Sequence, residues 1–123
     1  MKTKDFTGIR NNGSLPSPVG TEVYEEMADM LTAYAESALS MLDELEQVAL
    51  AYESGDNRQE NAEAARRILH KLKGESGMVG ADTINELCHQ AEYAFEELAE
   101  QERADMLLRI KDWACEAINS MTA

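Results

Sequence analysis

At 123 residues, with 44% hydrophobic and 28% charged residues, the chain has the size of one domain built on a single core. Its formal net charge of −13 at pH 7 argues against nucleic acids and anionic membranes as partners, because both attract basic surfaces. There is no run of about 18 apolar residues to cross a bilayer, and no apolar stretch follows Lys2 and Lys4 to make a signal peptide. A monomeric cytoplasmic protein is expected, with Cys88 and Cys115 as reduced thiols in helical patterns. Scarce aromatics and abundant alanine, leucine, methionine and glutamate favour an all-α fold.

Residues 1–20 hold glycines, asparagines, serines and prolines without periodicity, and read as a flexible N-terminal tail. From Thr21 to Glu53 no proline or glycine intervenes. Val23, Met27, Met30, Tyr34, Ala38, Met41, Leu45, Val48 and Tyr52 recur at helical steps. This predicts one long first helix, or two with a bend near residues 35–37. The segment carries nine acidic residues and no lysine or arginine, which suits a solvated outer face. A second helix is expected from about Gln59 to Val79, with Ala62, Ala65, Leu69, Leu72, Ser76 and Val79 inside and Ile68 beside them. Gly80 is a helix stop, since glycine accepts the left-handed conformation there. Asp82 or Thr83 should cap the third helix, and Thr83-x-x-Glu86 fits a capping box. Ile84, Leu87, Cys88, Ala91, Phe95 and Leu98 form its stripe. The fourth helix follows a break near Gln101, with Met106, Leu107, Ile110, Trp113, Ala114, Ala117, Ile118 and Met121 inside. Four amphipathic helices on short turns, spanning residues 21–123, predict an antiparallel four-helix bundle.

The stretch Leu69–Glu92 does not suit mere packing. Glycines at 74 and 77 sit inside a helical pattern, where each costs roughly 1 kcal/mol relative to alanine. They lie one and two turns beyond His70 on its side of the helix. A histidine beside two missing side chains is open to another molecule. Folding about residues 80–81 brings position 70 level with positions near 91, so His89 and Glu92 bracket it in height. His70, Lys73, His89 and Glu92 can therefore converge. A carboxylate on one imidazole nitrogen fixes the tautomer and leaves the other nitrogen's lone pair free. Arg66, Arg67, Lys71 and Lys73 form a basic cluster around it, a setting suited to a phosphoryl electrophile. His89 also suits a structural interfacial role. Glu86-x-x-His89 matches half of a di-iron bundle pattern, but Arg67 occupies the position where the second copy needs a glutamate. No G-x-x-x-x-G-K-[S/T] phosphate loop occurs, so no nucleotide site and no enzyme activity of its own are expected.

The pattern His70-x-Leu72-Lys73-Gly74, with Ser76, Gly77, Gly80-Ala81, Leu87-Cys88 and Glu92, resembles histidine phosphotransfer (HPt) domains of bacterial phosphorelays. The resemblance implies that His70 is phosphorylated, that Lys73 helps hold the phosphoryl group, and that Gly74 gives clearance to the partner. His89 and Glu92 stand where the phosphotransfer domain of chemotaxis kinases has a second histidine and an orienting glutamate. Leu69 departs from the alanine usual in the family. Gly77, Arg66, Arg67 and Lys71 would contribute to docking. The implied partners are response-regulator receiver domains and a sensor histidine kinase. The receiver would supply the aspartate and the magnesium, and this chain no cofactor or metal. The competing reading is a helical adaptor that binds a signalling partner without phosphoryl transfer, and it has no use for a glycine-flanked His70.

Overall fold

The computed structural model describes residues 4–122. Its helices are α1 (Leu31–Glu53), α2 (Arg58–Met78), α3 (Asp82–Glu97) and α4 (Glu100–Thr122), preceded by 3-10 helices over Thr7–Asn11 and Glu25–Met30. No strand occurs among the described residues, and the fold is the expected all-α four-helix bundle. The predicted stripes of α2 and α3 are all buried, as are those of α4 from Met106 to Ile118. In α1 the buried line starts only at Tyr34. Tyr34 and Ser76 are buried together, their hydroxyls 2.6 Å apart, and join α1 to α2. Burial pushes the Tyr34 phenol up to about 12.

The chain departs from the sequence reading at three places. The first is the start of α1. Residues 25–30 form a 3-10 helix with no buried residue, and α1 then runs unbroken from 31, without the bend near 35–37. Only Met27 there packs partly against the core, which gives little to offset the cost of helix nucleation. Met30 is accordingly exposed. The second is the start of α3. Ala81 is its N-cap, no side chain caps it, and the Thr83–Glu86 capping box does not form. The Asp82 carboxylate instead accepts a hydrogen bond from the Tyr24 hydroxyl at 3.1 Å. An acidic group in the first turn still suits the helix dipole. Tyr24 also donates its backbone N–H to Val79 O at 3.0 Å, and its ring lies over Gly80. That glycine has a φ of 77°, and a Cβ there would fall 2.1 Å from Tyr24 Cγ. Tyr24 thus clamps the turn that sets the height at which α2 and α3 face each other.

The third is the N-terminal segment. Described residues 4–20 are laid against the bundle, which the reading as a flexible tail does not account for. Phe6 and Ile9 are buried at 3% and 1% exposure. Phe6 meets Trp113 edge-on, ring centroids 5.1 Å apart, and Trp113 Nε1 donates to Pro16 O at 2.6 Å. Arg109 donates to Gly13 O, while Arg10 pairs with Glu97 on α3 at 3.1 Å. The segment therefore bridges α3 and α4, which pack against each other less extensively than the other neighbouring helices do. Two apolar residues three apart show no periodicity of their own; their anchor, Trp113, lies about a hundred positions away.

Candidate functional site

α2 and α3 face each other across an open hollow of about 640 Å³, lined by Arg66, Arg67, His70, Lys71, Lys73, His89, Glu92, Tyr93 and Glu96. The clamped turn at Gly80 brings residues 70 and 92 to one level. His70 Nδ1 lies 3.3 Å from Glu92 Oε1, and Lys73 Nζ lies 3.0 Å from Glu92 Oε2. One carboxylate thus faces both the imidazole and the ammonium. The Lys73 contact is a hydrogen bond. The His70 contact is close but not aligned as one, which leaves Oε1 buried without a hydrogen-bond donor. A small rotation of the imidazole would supply that donor. The His70 side chain is 75% exposed, against 26% for Glu92 and 23% for Lys73. The carboxylate sits in the wall, and the imidazole stands out from it.

Beyond His70 the surface is bare. Gly74 is exposed, and a Cβ added there would meet nothing within 4 Å. Gly77 differs from the expectation of open clearance. A Cβ there would lie 3.1 Å from Asn85 Nδ2, which donates to the Lys73 backbone carbonyl at 2.8 Å. The space left by Gly77 is used by a side chain of α3.

The basic cluster divides in two. Arg66 pairs with Glu96 at 2.5 Å and lies over the Phe95 ring, 5.2 Å from its centroid. Its hydrogen bond holds the Glu96 carboxyl below its ordinary value. Lys73 is committed to Glu92. Arg67 and Lys71 are exposed and make no ion pair among the described residues. His89 lines the hollow and meets the Tyr93 ring edge-on, centroids 5.2 Å apart. It makes no hydrogen bond or ion pair among the described residues, so the bond to a neighbour expected of an interfacial His89 does not occur there. Cys88 is fully buried behind this wall; desolvation pushes its thiol up to about 12, with Glu92 raising it further and Lys73 opposing. Cys115 is only partly buried.

Sequence reasoning missed Tyr93, Glu96 and Asn85. Tyr93 and Glu96 lie one turn beyond His89 and Glu92, so continuing the face of the third helix would have found them. Asn85 carries no such signal, because its partner is a backbone carbonyl of another helix.

The chemistry available is that of a nucleophile. An exposed imidazole with one nitrogen turned to a half-buried carboxylate presents the other nitrogen to solvent, and a cation shares that carboxylate. Beside it, at Gly74, the surface is bare. No curated protein and no solved structure gives a significant match to the chain. The family model described as Hpt domain matches residues 29–120, a span that holds α1 to α3, all but the last two residues of α4, and every residue of the hollow. The chain belongs to the Hpt domain family, whose members carry phosphoryl groups on histidine in phosphorelays.

Proposed function

We propose that this protein is a phosphorelay carrier that accepts a phosphoryl group on His70 Nε2 from the aspartyl phosphate of a response-regulator receiver, or from a sensor histidine kinase, and passes it to another receiver. The observation that carries this reading is the exposed imidazole with Nδ1 3.3 Å from Glu92 Oε1, next to a glycine with open space above it. Nε2 attacks phosphorus in line, the P–N bond forms, and the P–O bond to the donor aspartate breaks as its carboxylate leaves. Glu92 accepts the Nδ1 proton in a hydrogen bond and holds the reactive tautomer. Lys73 places positive charge where phosphoryl oxygens arrive. Arg67 and Lys71, free of ion pairs among the described residues, meet acidic groups on the receiver. The receiver brings the magnesium; His70, Lys73 and Glu92 are the share of this chain. No helix among the described residues is long and apolar enough to cross a membrane, and the carrier is read as a cytoplasmic monomer.

Incubation with a phosphorylated receiver tests the reading. The wild type should acquire acid-labile, alkali-stable label, and His70→Gln should acquire none. Because the His70 side chain is mostly exposed, His70→Gln should keep its stability to within about 0.5 kcal/mol. Label remaining in the variant, on His89 or elsewhere, would remove His70 from its role. An adaptor without phosphoryl transfer would show no label in either protein.

A further inference from the structure

Lys73 is held by α3 at both ends. Its ammonium meets Glu92 Oε2 at 3.0 Å, and its backbone carbonyl accepts a hydrogen bond from Asn85 Nδ2 at 2.8 Å. Asn85 and Glu92 are seven residues apart, two turns along one face of α3. The carbonyl of Lys73 lies inside α2, where it already faces the N–H of Gly77, so the Asn85 amide adds a second donor from another helix. Position 77 leaves room beside this amide; a Cβ there would stand 3.1 Å from Nδ2, closer than an ordinary contact, so Asn85 would have to give by a few tenths of an ångström. Asn85 is half-buried, which shields this bond more than those at the rim of the bundle.

We infer that Asn85 is a positioning residue for phosphoryl transfer, which holds the Lys73 turn of α2 against α3 so that the Lys73 ammonium and Glu92 stand beside His70, and that Gly77 is glycine to let Asn85 through. Asn85 touches neither the phosphoryl group nor the imidazole. It acts through Lys73. The inference rests on the proposed transfer at His70 and assigns the regulation of that site's geometry.

The test is a double-mutant cycle read by single-turnover transfer from a phosphorylated receiver. Asn85→Ala should slow transfer at saturating receiver by about tenfold, since a misplacement of a fraction of an ångström is felt at an in-line step. Half-saturation should change less than twofold. In the Lys73→Ala background the same change should alter the rate less than about twofold, because the group being positioned is gone. A tenfold loss in both backgrounds would show that Asn85 acts by some other route and would overturn the inference. Asn85→Asp keeps the shape and removes the amide donor, so it should slow transfer as Asn85→Ala does. A wild-type rate in Asn85→Asp also overturns the inference, and it keeps the test decisive should Asn85→Ala fold poorly. Labelling of wild type but not of His70→Gln is the control. If that control fails, the proposed function falls and the positioning role falls with it; if the control holds and the cycle is additive, the positioning role alone is refuted.

Discussion

Gly74 sets stability against transfer, so substituting it separates the two. The residue is exposed inside α2, and a Cβ there meets nothing within 4 Å. Nothing in the folded protein opposes a side chain. Gly74→Ala should therefore stabilise the fold by roughly 0.5–1 kcal/mol, through the lost freedom of the unfolded chain. For a domain of this size about 1 kcal/mol moves Tm by about 4 °C, so a rise of about 2–4 °C is expected. Gly74→Leu should keep most of that rise, because leucine follows alanine closely in helix propensity. Transfer should respond in the opposite direction. A leucine one turn from His70 rises into the space where the receiver must bring phosphorus to Nε2. Displacing the donor by about 1 Å costs on the order of 10²-fold, equivalent to about 2.7 kcal/mol of barrier at about 1.36 kcal/mol per tenfold. Gly74→Ala should fall between wild type and leucine. Thermal melts and single-turnover transfer measured on the same preparations decide the matter. A Gly74→Leu protein with raised Tm and wild-type transfer would show that the bare surface is not a docking clearance.

Three further outcomes are expected. Glu92→Gln removes the carboxylate shared by His70 and Lys73; transfer should slow, and the ¹⁵N shifts of the His70 imidazole should report an altered tautomer balance, whereas unchanged shifts would show that the 3.3 Å contact has no consequence. Lys73→Ala should lower the rate at saturating receiver by about 10²-fold, as loss of a preorganised charge partner does, with a smaller change in half-saturation; an unchanged maximal rate would deny Lys73 a part in the chemical step. In alkali the fold should weaken through Cys88 and Tyr34. Both are held up to about 12 in the fold, against 9.0 and 10.0 for the free groups, so between about pH 9 and 12 the unfolded chain has lost protons that the folded chain keeps. Stability is then full below about pH 9 and declines as pH rises through this window. Denaturant melts at pH 8 and 10 should show the loss, and Cys88→Ala should reduce the pH dependence even though the cavity lowers stability at both pH values.

Much of the molecule follows from local pattern. The apolar stripes of α2, α3 and α4 were readable because a helix writes its buried face at every third and fourth residue, within one window of sequence. The pairing of His70 with Glu92 was readable for a related reason: a turn as short as residues 79–81 converts distance along the chain into height on the facing helix. What lay outside such windows was decided by tertiary contact alone. Phe6 and Ile9 become core because Trp113 and α3 offer them a surface, and nothing near residue 9 encodes that. The start of α1 is set by where burial begins, at Tyr34, rather than by where helix-breaking residues end. Asp82 is engaged by Tyr24, 58 positions away, instead of serving as a cap. Gly74 and Gly77 look alike in sequence, one turn apart on the same helix. Only the opposing α3 distinguishes them, leaving open space above the first and placing Asn85 above the second. Periodicity records which face of a helix is buried; which side chain of a neighbouring helix meets a given residue depends on contacts between distant positions, and these exist only once the helices have packed.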